Sequence, residues 1–173
     1  MIRSSFKNYA LSKIIICGLS GGLSILIGIG SFILILSFKY PLVSQDAANY
    51  QYFVENTIGG IFLKSENPEI YFLICIFLMF LSGILWSCIG LALSTVITSR
   101  FVIYCMPFVL YYFSNVILKI ISPSLQLNRI TDGLVIIKNT FCSLMYALCV
   151  YLILTFIICS FTKANIIRRL KND

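Results

Sequence analysis

Histidine is absent from these 173 residues, six acids face thirteen bases, and only 11% of the chain is charged. Each shortage removes something. Without imidazole there is no histidine general base, no histidine-activated nucleophile and none of the commonest metal ligand. A metal site would have to draw on six carboxylates spread along the chain and seven cysteines, so none is expected, and no cofactor is. The motif G-x-x-x-x-G-K-[ST] does not occur, which excludes nucleotide hydrolysis through a P-loop. C-x-x-C is also missing and the cysteine count is odd, which argues against a disulfide framework. Soluble domains carry about 25% charged residues. With 60% hydrophobic residues and a mean hydropathy of +0.98, this composition is that of an integral membrane protein.

What the chain does have is long uncharged runs. A helix needs roughly 20 residues to cross about 30 Å of hydrocarbon, and four uncharged runs come to that length, the third, 101–118, only just, giving spans over about 14–38, 70–98, 101–121 and 139–162. They predict an all-α integral membrane fold, a single membrane domain of four transmembrane helices over residues 1–173. Little more than Arg100 separates the second and third runs, so a very tight turn joins them. The first run has a basic flank in Arg3, Lys7 and Lys13, but it exceeds the apolar length of a signal peptide. No small-x-small cleavage site precedes Tyr40-Pro41, and the helix is expected to be retained.

The bases set an expected orientation. With a cytoplasmic N-terminus, four crossings return the C-terminus to the same side. The inside then holds Arg3, Lys7, Lys13, Arg100, Lys163, Arg168, Arg169 and Lys171. Outside lie Lys39, Lys64, Lys119, Arg129 and Lys138, so eight bases inside face five outside, as the positive-inside rule favours. The protein is therefore expected in the cell membrane with both termini cytoplasmic. The pI near 9.1 is read as contact with the lipid bilayer rather than with nucleic acid.

Between the first two spans, Ala47, Tyr50, Val54, Ile58 and Ile61 recur at three- and four-residue steps, and Gly59-Gly60 interrupts them. This suggests a short outer interfacial helix, with a partly ordered loop as the alternative. The segment 122–138, with Pro123 and Asp132-Gly133, reads as a turn-rich connection with one helical turn at most.

Chemistry is limited inside the spans. They contain no acid, and their serines have no base nearby in sequence, so neither intramembrane hydrolysis nor a carboxylate proton relay is expected. The seven cysteines all fall within spans, where a thiol acts as a small apolar side chain. Small residues do recur at four-residue spacing. Gly18 and Gly22 lie on one ridge with Ser20, Ser24 and Gly28 on a second, while Gly83 and Ser87 precede Gly90, Ser94 and Thr98. Such ridges bring helix backbones together, within one chain or between subunits. Pro107 interrupts the backbone bonding of the third span, and Tyr104, Tyr111, Tyr112, Ser114 and Asn115 are nearby polar groups. Pro107 and Asn115 thus mark the one place where a span hints at a polar path. The alternative is an aromatic belt of Tyr111 and Tyr112 near the outer headgroups, with Asn115 in an interhelical hydrogen bond, its commoner role.

The stretch 58–121, including F-L-S-G-I-L-W-S-C-I-G-L-A-L-S-T-V-I-T-S-R and then M-P-F, resembles ABC-2-type permease subunits of low-GC bacteria. The matching positions are Gly83, Trp86, Gly90, Leu91, Ser94, Arg100, Pro107 and Phe108. The N-terminal R-S-S-F-K-N-Y-A-L-S-K looks like the basic cytoplasmic segment before the third helix of such permeases. The resemblance implies a non-enzymatic exporter subunit energised by a separate ATP-binding cassette subunit, completed by a second membrane subunit or by further copies of itself. Arg3, Lys7, Lys13 and Arg100 would make the cytoplasmic contacts, and Gly18, Gly22, Gly83, Gly90 and Ser94 the close helix packing. One departure is plain: such permeases usually have six spans, and this chain begins at the segment before their third. A different class of function, a non-transporting immunity protein that binds a peptide toxin within the bilayer, stays open beside it.

Overall fold

A computed structural model describes residues 6–44, 46–64, 68–121, 126–135 and 139–172. Arg3, Pro123 and Lys138 fall outside them. Four long helices carry the apolar runs: α1 (Phe6–Ser37), α4 (Glu69–Val96), α5 (Arg100–Ile121) and α7 (Thr140–Asn172). Three short ones, α2 (Tyr50–Asn56), α3 (Ile61–Lys64) and α6 (Leu127–Thr131), belong to the connections. Among the described residues there is no strand, only an isolated antiparallel bridge between Thr57 and Leu134. All four long helices have the length and apolarity to cross a membrane, so the chain is a multi-pass membrane protein of the all-α class.

Two boundaries differ from the hydropathy reading by more than two residues, for one reason. Helix α1 starts at Phe6 rather than 14, and α7 runs to Asn172 rather than 162. At about 1.5 Å per residue, α1 with 32 residues and α7 with 33 both outreach the hydrocarbon. Hydropathy detects the lipid boundary, whereas the backbone continues helical beyond it. The extra turns bear Lys7, Lys163, Arg168 and Arg169.

Helix α4 is the hub. It packs against α1, α7 and α5, while α1 also meets α7. Contacts descend along one helix as they rise along the other between α1 and α4, where Gly18 lies by Cys88 and Gly22 by Phe80, so that pair is antiparallel. Helices α4 and α7 run the same way, with Ser82 at Tyr151 and Cys88 at Cys159. Helix α5 stands outside this three-helix bundle, with its main contacts to α4 and α6 and no buried residue. Residues 97–99 link α4 to α5; we call that the turn end and the opposite one the cap end.

The cap is knitted rather than loose. The Ile58 amide donates to the Gly133 carbonyl at 2.5 Å and the Val135 amide to the Asn56 carbonyl at 2.7 Å, which ties the two long connections together. Gly133 takes φ +66° at this junction, a left-handed conformation that a Cβ disfavours. Gly59 does the same at φ +84°, and a Cβ on Gly60 would strike the carbonyl oxygens of Phe53 and Val54. Here the interfacial helix expected over 47–61 divides into α2 and α3. Ile58 and Ile130 drop from the cap into the same buried cluster as Leu78, Leu85, Ala147 and Tyr151. A second cluster nearer the turn end joins Ile14, Cys88 and Leu91.

Candidate functional site

The closest helix approach is the α1–α4 seam. A Cβ built on Gly22 would sit 2.7 Å from the Phe80 ring and 2.9 Å from Ile84, and one on Gly83 would sit 2.9 Å from the Gly21 carbonyl oxygen. At Gly18 the nearest atom is Cys88 Sγ, at 3.2 Å. Gly21, which the four-residue pattern passes over, is the tightest position, because its Cβ would overlap Ser87. Without side chains at these points, dispersion contacts between backbones replace the hydrophobic drive that lipid cannot supply. Gly90 and Ser94 are not brought to this seam. Nothing lies within 4 Å of a Cβ on Gly90, and the Ser94 hydroxyl turns back to the Leu91 carbonyl of its own helix at 2.7 Å. The ridge of Ser20, Ser24 and Gly28 is exposed on the far face of α1, with Ser24 bonded to the Ser20 carbonyl.

Thiols collect where the seam meets α7. Cys17 Sγ lies 3.7 Å from the Ser87 carbonyl oxygen, and Cys88 and Cys159 approach to 3.9 Å between sulfurs. With no carboxylate or imidazole among them, they fill space as soft apolar groups. Among the described residues no cluster of three or more histidine, cysteine or acidic side chains could hold a metal.

Under the cap, α4, α5, α6 and α7 assemble a polar cluster. Trp86 meets Tyr111 edge to face, with ring centroids 5.3 Å apart. The Asn115 side-chain oxygen accepts from the Asn128 amide at 3.0 Å, while its nitrogen donates to the Tyr111 carbonyl at 3.0 Å. Asn115 therefore fastens α5 to α6. The buried Tyr151 hydroxyl shares a hydrogen bond with Thr131 at 2.8 Å and lies near Ser82. Asp132 borders this cluster with its side chain still largely open to solvent, and partial desolvation pushes its carboxyl above the ordinary range because it disfavours the charged form. Helix α5 is continuous through Pro107. The Ser114 hydroxyl and the Asn115 amide both donate to the Tyr111 carbonyl, about two turns beyond the Ile103 carbonyl that Pro107 leaves without its helical donor, so they do not replace that bond. Tyr151, Thr131 and Ser82 carry no signal in the local pattern, since their contact joins three elements.

The bases Lys7, Lys13, Arg100, Lys163, Arg168 and Arg169 all belong to the turn end, where the described residues include no acid. The cap end mixes Lys39, Lys64, Lys119 and Arg129 with Asp46, Glu55, Glu69 and Asp132. Comparison with known proteins finds no matching family model, no similar curated protein and no similar solved structure.

Proposed function

We propose that this chain is a non-enzymatic, permease-like subunit of an ABC-2-type exporter, that its turn end faces the cytosol, and that a separate ATP-binding subunit supplies the energy. The observation that carries the reading is the charge asymmetry between the two ends. Lys7, Lys13, Arg100, Lys163, Arg168 and Arg169 occupy the end from which α1, the α4–α5 turn and α7 all project, with no acid there among the described residues. Such a surface is held inside by the positive-inside rule and attracts an acidic partner surface as well as anionic lipid. The sequence resemblance adds the class of partner. Within it, Arg100 opens α5 directly after the short turn, where a docking subunit would push on α4 and α5 together. Arg3, proposed for the same contact, lies outside the described residues.

Purification from the native host in mild detergent tests this reading. A nucleotide-binding subunit should accompany the chain, and reversing Lys7, Lys13 and Arg100 to glutamate should release it. The chain by itself should turn over no ATP. Recovery of the chain without any nucleotide-binding protein, in a membrane where its neighbours stay associated, would remove the exporter reading.

A further inference from the structure

Beside the cap, three hollows follow one another from the lipid-facing end of α1 towards a lysine. The first, about 300 Å³, opens between Ile33 and Leu36 of α1 and the Tyr40-Pro41 turn. The second, also about 300 Å³, lies under α2 between Val43, Ala47, Phe53, Leu63 and Tyr71. Leu42 and Phe72 form the wall that both share. The third, about 320 Å³, shares Ala47 and Tyr50 with the second and ends at Gln51 and Lys64. The first two are mostly apolar, with Ser44 and Asn49 also on the wall of the second, and the third is about half polar.

We propose that this tract binds an anionic phospholipid, with one acyl chain laid through the two apolar hollows and its phosphate against Lys64. The order of surfaces matches an amphiphile: hydrocarbon-facing entry at Ile33 and Leu36, apolar middle, cationic end. Lys39 adds a second ammonium at the entry, 5.5 Å above the Tyr40 ring. Asp46, next in sequence to Ala47, tempers the field, so recognition rests on direct contact with Lys64. A peptide is a poorer occupant, because each residue brings a backbone donor and acceptor that need partners when buried. The middle hollow offers only Ser44 and Asn49 at its wall besides Tyr50, whose hydroxyl already donates to the Leu63 carbonyl at 3.0 Å, too few for an extended backbone. An acyl chain asks for none. The inference stands apart from the exporter reading, since no step of it involves the turn end.

The chain has a single tryptophan, which makes an optical test simple. Trp86→Phe combined with Phe53→Trp moves the fluorophore into the middle hollow. The full chain is reconstituted into phosphatidylcholine vesicles that contain either phosphatidylglycerol or phosphatidylcholine brominated along the acyl chains. Brominated phosphatidylglycerol should quench at a low mole fraction and brominated phosphatidylcholine only at a high one. Lys64→Gln should raise the phosphatidylglycerol fraction needed by about fivefold, the loss of one lysine's attraction at a membrane surface. Ala47→Phe should fill the hollow and remove quenching by both. Should that variant fail to fold, Lys64→Gln at the exposed rim decides alone. Equal quenching by the two lipids that Lys64→Gln leaves unchanged overturns the proposal. So does an absence of quenching, or relief of quenching by an added hydrophobic peptide but not by unlabelled phosphatidylglycerol.

Discussion

At the scale of single residues, the seam shows how little room separates a packing glycine from a neutral one. Gly21→Ala should destabilise the fold by about 1–3 kcal/mol, the usual range for overpacking, because the added methyl meets Ser87 and the fixed Gly83 carbonyl. Gly90→Ala, with open space around it, should be neutral or gain up to about 1 kcal/mol of helix propensity. Thermal melting in detergent measures both, and equal melting of the two variants would overturn the contrast. Spacing alone does not distinguish these glycines: Gly18, Gly22, Gly83 and Gly90 look alike in the sequence, and only the crossing of α1 over α4 selects among them. Asp132 offers a pH-dependent case. Its carboxyl titrates higher in the folded chain than in the unfolded one, so folding favours the protonated form. Stability is greatest below the unfolded value near pH 4 and declines as pH rises through the folded value. Asp132→Asn should therefore raise the melting temperature slightly at pH 7, within about 1 kcal/mol given solvent screening, and make no difference in acid. A lower melting temperature at pH 7 would contradict the assigned cause.

At the scale of elements, the four long helices were readable because hydropathy summed over some twenty residues outweighs any local ambiguity. The cap was legible only in outline. The Gly59-Gly60 break marks where α2 gives way to α3, but the bridge from Thr57 to Leu134 joins residues 77 apart in the chain, too distant for periodicity to register. Gly133→Val should expose the value of that bridge. It forces a β-branched residue into φ +66°, costs about 1–2 kcal/mol, and should speed amide exchange at Ile58 and Val135 together. Faster exchange at one amide only would mean that the two connections open separately. Asn115→Val should loosen α6 by about 1–3 kcal/mol, because the Asn128 amide loses its acceptor, without unseating α1 from α4. The sequence allowed that role but not its partner, since an asparagine serves a polar path and an interhelical bond equally well on paper.

At the scale of the molecule, the three-helix bundle and the outlying α5 divide the chain into a packed part and a part held mainly by α4 and the cap. The division is invisible to composition, because α5 is apolar enough to span on its own, and only the contacts tell which helices share a core. The hub position of α4 also bears on biogenesis. Its seam with α1 uses only residues up to 96, so that hairpin is complete before α7 has left the ribosome, and the last helix finds a ready-made groove along both. A nascent chain halted after Ile121 should already resist extraction of α1 from α4. In a full-length chain carrying Gly21→Ala, by contrast, α7 would arrive to find its docking surface misaligned, so a substitution near the beginning of the polypeptide would show itself in the insertion of its end.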